Sequence, residues 1–469
     1  MRLTVWLMAI VLGLGQTSNA PSRLRMLAES IPGSVPAEFA ADLLIRLADS
    51  AAAAKEDADW REAIYQQAFE IAGSAQDPLP GIPAKGRTLD LQTDIKYKAS
   101  RMLGLDTLSL RVRAIQGLQE FRLTHAIELI QRLDTRVAAL TCHDALVPNP
   151  TAMFDVGRLL PFDAFEQQIA SVRSSTGVSP ALQSVLETNV SDDQSQRLLF
   201  SLANTLRGLH DDDATFSASA EAIWAAVKRA VDRVDDATVV GALLDAFREY
   251  VVRHLTAARC ARPGTKPESF VPTDSSVVAD INTVLVAHDR AALSRRELTP
   301  FRVIDIEPTA PFAPSEAAKA VTVELTALET LVMMDPPAIR RPRTLEERAS
   351  LDLREPIARL QTAMARWTAR EERSAAEYFH ARRLALLQVV ALLPPGVDRD
   401  QAIADVLTFM KSEGIERYSH VEWFYPVRQL LNGHKESATE RDWMLRALLD
   451  SGDPVMRLYA QVEEFLGLP

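Results

Sequence analysis

Apolar residues recur at intervals of three and four along almost the whole chain, and this period limits what the chain can fold into more than any other feature. Between Leu105 and Cys142, one stripe runs through Leu105, Leu108, Val112, Ile115 and Leu118, and a second through Leu123, Ala126, Ile130, Leu133, Val137 and Leu140. The stretch reads as an antiparallel helical hairpin. Each helix has one face that must leave water, and a hairpin covers only part of both stripes with itself, so further pairs must pack against it. Only 18 glycines in 469 residues leave few left-handed turns for sheet hairpins or phosphate loops. Val303-Ile304-Asp305-Ile306 is the one short extended run. The expected fold class is therefore all-α: irregular helical hairpins stacked as an α-solenoid-like or multi-bundle body. Hairpin lengths are similar but follow no fixed period, which excludes a tetratricopeptide or ankyrin array.

The same period places the other helices. Ala37 to Ser50 carries Phe39, Leu43, Leu44 and Leu47 on one face, and Asp57 to Ala75 answers with Trp60, Ile64, Ala68, Phe69 and Ala72. The three prolines between Gln76 and Gly86 close this unit. From Phe162 to Cys260 the pattern is nearly all helical, with Ser179 expected as an N-cap and Pro180 at the first helical position. Asp211 to Asp213 and Asp235-Asp236 stand ahead of periodic segments, where carboxylates accept free amide hydrogens. Prolines cluster between Ala261 and Ser315 around one helix, Ser275 to Arg295, and a second helix runs from its cap Ser315 to Met334. Thr344 and Glu347 have capping-box spacing. No glycine or proline lies between Pro356 and Leu393, a length that suits two helices or one very long one. Asp398 to Ser412 packs back on it, and a last helix from Asp453-Pro454 carries Val455, Leu458, Val462 and Phe465. These breaks divide the chain into a signal peptide (1–20), an N-terminal helical-hairpin domain (21–260), a proline-rich connector with two helices (261–343) and a C-terminal helical domain (344–469).

Charge and the N-terminus bound the compartment and the partners. A formal charge of -11 lacks the basic footprint that nucleic acid requires. Arg2, the apolar run Leu3 to Leu14 and the small residues Ser18-Asn19-Ala20 form a signal-peptide pattern, which implies export to the periplasm or beyond. No later apolar run reaches membrane-spanning length, so no transmembrane segment is expected in the mature chain. Cys142 and Cys260 then either pair or remain two buried thiols. The even count in an exported chain favours the disulfide, which would close a loop of more than a hundred residues and stabilise by about 4 to 5 kcal/mol.

The segments FAADLLIRLA (Phe39 to Ala48), AFEIAGSAQ (Ala68 to Gln76) and LTCHDALVP (Leu140 to Pro148) resemble parts of uncharacterised, signal-peptide-bearing, all-helical bacterial envelope proteins, over the N-terminal third. The resemblance implies fold and compartment and assigns no catalytic residue.

Chemistry concentrates in Arg417 to Arg428, where Tyr418, His420, Glu422, Trp423, Phe424 and Tyr425 gather in a chain only 6% aromatic. Rings with polar tips bury area while keeping a hydrogen bond, so Tyr418, His420, Glu422, Trp423, Tyr425 and Arg428 are the binding candidates. The plainer reading is a turn whose rings plug the end of the helical stack. Glu377 and His380 share a helix face, as in di-iron bundles, but without the other ligands; His380 beside Arg382 and Arg383 is expected on a solvated face. His125 and Glu128 read as a surface pair. No metal or cofactor motif is complete. Two functions follow: an exported protein that binds another protein or an envelope component through an inter-helix groove, or a helical hydrolase or metal-dependent enzyme that uses His420 and Glu422.

Overall fold

Side-chain oxygens set where most helices begin. In the computed structural model, which describes residues 22–77, 79, 81–83, 101–133, 146–211, 213–256, 275–294, 296–297, 314–333, 344–413, 424, 427–428, 430 and 438–466, Ser22 accepts the Arg25 amide and opens α1 (Arg23–Ser30). α2 (Ala37–Ala48) follows, and Asp57 accepts the Trp60 amide at 2.7 Å to open α3 (Ala58–Ala72). Asp106 does the same for α4 (Thr107–Gln119), which pairs with α5 (Leu123–Gln131) as the predicted hairpin. Its second helix ends at Gln131 among the described residues; Val137 and Leu140 lie outside them. A short antiparallel pairing joins Gly81–Pro83 to Leu146–Pro148, with Ile82 opposite Val147.

The middle of the chain forms α6 (Thr151–Gly157), α7 (Phe162–Ala170), α8 (Ser175–Glu187), α9 (Asp192–Gly208), α10 (Asp213–Val231), α11 (Ala237–Thr256) and α12 (Ser275–Ala287). Ser191 and Gln194 cap each other's backbone at the start of α9, and Asp236 accepts the Thr238 and Val239 amides at the start of α11. α6 leans on α4 and α8, α8 packs on α9 and α10, and α9 packs on α7 and α11. Asp280 of α12 accepts from Trp224 Nε1 at 2.8 Å and from Lys228 at 2.7 Å, which pins α12 to α10. The remainder forms α13 (Glu316–Met333), α14 (Leu345–Ala349), α15 (Arg354–Arg366), α16 (Ala375–Leu392), α17 (Val397–Glu413), α18 (Ala438–Leu449) and α19 (Pro454–Leu466). α13 packs on α15 and α16, α16 on α17, and α18 on α19. The architecture is an all-α, multi-bundle body.

Helix α2 is the most enclosed of these. Phe39 through Ile45, Leu47 and Ala48 are all buried, because α3 and α4 cover it on one side and α19, near the far end of the chain, covers it on another. Arg23 meets Glu464 at 2.8 Å beside this contact.

Several expectations need correction. α8 starts at Ser175, not after Ser179, and Pro180 lies inside it. The earlier start is held by tertiary partners: Asp211 accepts the Ser175 amide at 3.2 Å, and Ser175, Thr176, Gly177 and Val178 are buried. α12 ends at Ala287, short of Arg295, because Asp289 takes a left-handed φ of 55° and Arg290 N–H returns to Leu285 O at 2.8 Å, a Schellman-type stop without glycine. Of the two readings of the segment from Pro356 to Leu393, the structure shows the first: two helices, divided at Trp367 to Ser374. His380 and Arg383, expected in solvent, are each 1% exposed, since α16 is packed between α13 and α17.

The expected signal peptide, Cys142, Cys260 and the Val303 to Ile306 run lie outside the described residues, as does about half of the connector at 261–343. Among the described residues no helix is long and apolar enough to cross a membrane.

Candidate functional site

The division between α15 and α16 opens a cavity on the surface. Trp367 is buried there, its Nε1 donates to Glu372 at 2.7 Å, and Thr368 and Glu371 cap each other's backbone. Ser374 then accepts the Glu377 amide and starts α16 in a new direction. Between α15, α16 and α17 this leaves a cavity of about 470 Å³, within the roughly 300 to 1,000 Å³ typical of ligand sites.

Each wall is a single helical stripe. α15 presents Ile357, Leu360, Gln361 and Met364; α16 presents Tyr378, Arg382, Leu386 and Val389; α17 presents Asp398, Gln401, Ala402, Asp405 and Phe409. The α16 stripe runs about 17 Å at 1.5 Å per residue. Arg382 is fixed: Nη1 donates to Trp367 O at 2.7 Å and to the Tyr378 hydroxyl at 2.6 Å, and the guanidinium lies 5.4 Å from the Phe409 ring. Asp398 and Asp405 make no ion pair among the described residues, so the α17 wall is acidic. The trough therefore offers an apolar floor with one acidic edge.

The residues singled out from sequence fall elsewhere. Tyr418, His420, Glu422, Trp423 and Tyr425 lie outside the described residues. Phe424 is buried and packs edge-on against Phe39 at 5.2 Å and tilted against Tyr459 at 4.3 Å. Arg428 does not line the groove. It lies where α19 meets α2, with Nη1 3.5 Å from Glu463 Oε1 and its guanidinium 5.8 Å from the centre of the Tyr459 ring.

That contact holds a charge cluster sequence reasoning did not assemble. Asp42, only 4% exposed, accepts from Arg113 Nη1 at 2.6 Å and from the Tyr459 hydroxyl, and Arg46 Nε stands 3.3 Å away. Arg46 also pairs with Glu463, and Arg441 Nη2 donates to the Glu463 carbonyl at 2.9 Å. Burial pushes the Asp42 carboxyl up, yet Arg113, Arg46, Arg428 and the Tyr459 hydrogen bond outweigh it and hold the group well below the usual carboxylate range. Burial, and then repulsion from Arg46, pull Arg428 down. One signal was in plain sight: a carboxylate among the buried apolar residues in the middle of α2 needs partners, and Arg46 one turn on is the local one.

Two further polar nodes are structural. Asp211 accepts from the Ser175 amide and the Tyr250 hydroxyl at 3.0 Å, while its own N–H donates to His254 Nε2 at 3.0 Å; His254 therefore carries its proton on Nδ1, 2.8 Å from Tyr250 O. His125 Nδ1 meets Glu62 at 2.7 Å, not Glu128, and Arg122 joins the same carboxylate, fastening α5 to α3. Glu377 pairs with Arg373, and no group of three or more metal-binding side chains occurs among the described residues. Comparison with known proteins gives no match, either to a family model or to a curated protein.

Proposed function

We propose that the chain is an exported helical binding protein whose trough between α15, α16 and α17 receives an amphipathic helix of a protein partner, apolar face inward and a basic flank along Asp398 and Asp405. The observation that carries this is the set of three lining stripes, each at helical spacing, around an apolar trough as long as three turns of helix. A fourth helix would complete the packing that α15 and α17 leave open. The acidic wall gives the complementary charge that selects a partner and speeds its encounter.

Leu386→Glu tests the reading, with Leu384→Glu as control, because Leu386 lines the trough whereas Leu384 is exposed outside it on the same helix. Cross-linked capture from envelope extract should recover a stoichiometric partner on the wild type and on Leu384→Glu, and lose it by about a hundredfold on Leu386→Glu, since an unpaired charge would be buried. Identical capture on all three would reject the groove as the binding surface.

A further inference from the structure

We propose that the arginine cluster between α2 and α19 is a binding site for a phosphate group, either inorganic phosphate or a phosphomonoester, seated against Arg428 and Arg46. Four guanidiniums, Arg46, Arg113, Arg428 and Arg441, gather around two carboxylates, Asp42 and Glu463. All six side chains are at most about a third exposed, so solvent compensates little of the positive excess among these described groups.

The excess is concentrated at one end. Arg113 spends its charge on Asp42 at 2.6 Å. Arg46 Nη1 and Arg428 Nη1 instead share a single oxygen, Glu463 Oε1, and both guanidiniums lie 5.8 Å from the same Tyr459 ring centre. Two like charges thus converge on half of one carboxylate. Arg428 Nη1 is buried and forms no hydrogen bond, its 3.5 Å approach to Glu463 being too long to count as one. A buried guanidinium donor without an acceptor, next to a second guanidinium, is the arrangement that an oxyanion completes with charge-assisted bonds. Phosphate suits it better than a carboxylate does, because it brings close to two negative charges at neutral pH and three acceptor oxygens.

The groove reading and this site are independent, because they lie on different helices. The test uses the full chain at pH 7. Thermal unfolding is followed with sodium phosphate against sodium chloride at matched ionic strength, for the wild type, Arg428→Gln and the distant surface control Arg370→Gln. The expected result is a saturable rise in Tm with phosphate in the wild type and control. That rise disappears in Arg428→Gln, whose own Tm without phosphate equals or exceeds that of the wild type. A wild type that does not distinguish phosphate from chloride overturns the proposal, as does an Arg428→Gln protein that keeps the full response. Should Arg428→Gln fail to fold, phosphate titration by calorimetry on the wild type and on Arg441→Gln decides instead: no saturable heat on the wild type overturns the site. Co-sedimentation with phosphatidic acid vesicles then identifies the source. Arg428-dependent pelleting indicates a lipid headgroup, whereas a response to phosphate alone indicates a soluble phosphate compound.

Discussion

Asp42 shows how much one residue can be asked to hold. It is buried in the most enclosed helix, and among the described residues its carboxylate is the one that ion-pairs with Arg113. Asp42→Asn should destabilise the fold by about 3 to 5 kcal/mol in urea unfolding, the cost of leaving a buried partner charge uncompensated. The pH response follows from the direction of its shift. Folding lowers the Asp42 pKa below its ordinary 3.8, so its stabilisation is complete above that value and disappears as pH falls beneath it. The urea midpoint of the wild type should therefore change little on this residue's account between pH 7 and about pH 5, then drop steeply below pH 4, and the drop should be shallower in Asp42→Asn. The residue was visible in sequence, but its partners were not. Tyr459 is 417 positions away, and no local pattern relates the two. Asp211 teaches the same point, since it stands just before α10 yet caps α8.

At the scale of the element, what was legible had a local cause. The capping box at Thr344 and Glu347, the cap at Ser315 and the start at Asp453-Pro454 all depend on atoms within three residues, and each was readable. The stop at Trp367 was not, because a buried indole and its bond to Glu372 end α15 with no glycine or proline present. Gly117 in α4 is a similar case of tertiary override. A Cβ there would stand 2.2 Å from the Tyr65 ring, which is buried with its hydroxyl bonded to Asp49. Gly117→Ala gains about 1 kcal/mol of helix propensity but must displace that ring, at about 1 to 3 kcal/mol or more. The net expectation is a loss of up to about 2 kcal/mol, read as a lower urea midpoint; a gain in stability would show that Tyr65 moves freely. Thr344→Ala should cost about 1 kcal/mol by the same measurement.

For the whole molecule, the period of three and four specified helices everywhere but could not say which helices meet. That the trough would form between α15, α16 and α17 depends on the directions in which three helices leave their turns, and stripes alone do not encode direction. Likewise α19 advertised an apolar stripe without naming α2 as its partner. A chain ending after Ser451 would uncover one side of α2. Hydrogen exchange in residues 37–48 of that truncation should accelerate by at least tenfold relative to the full chain, while exchange in α9 and α11, which make no extensive contact with α19, should be unchanged.

The meeting of α2 with α19 also imposes an order in time. A ribosome adding about 5 to 20 residues per second needs roughly 20 to 80 s to make the 417 residues that separate Asp42 from Tyr459. For that interval the nascent α2 has its carboxylate without the tyrosine that donates to it and its apolar side without a cover. Helix α2, made early, is thus among the last to reach its final surroundings. At this contact a newly made chain stays unfinished, and open to chaperones, until α19 has been synthesised.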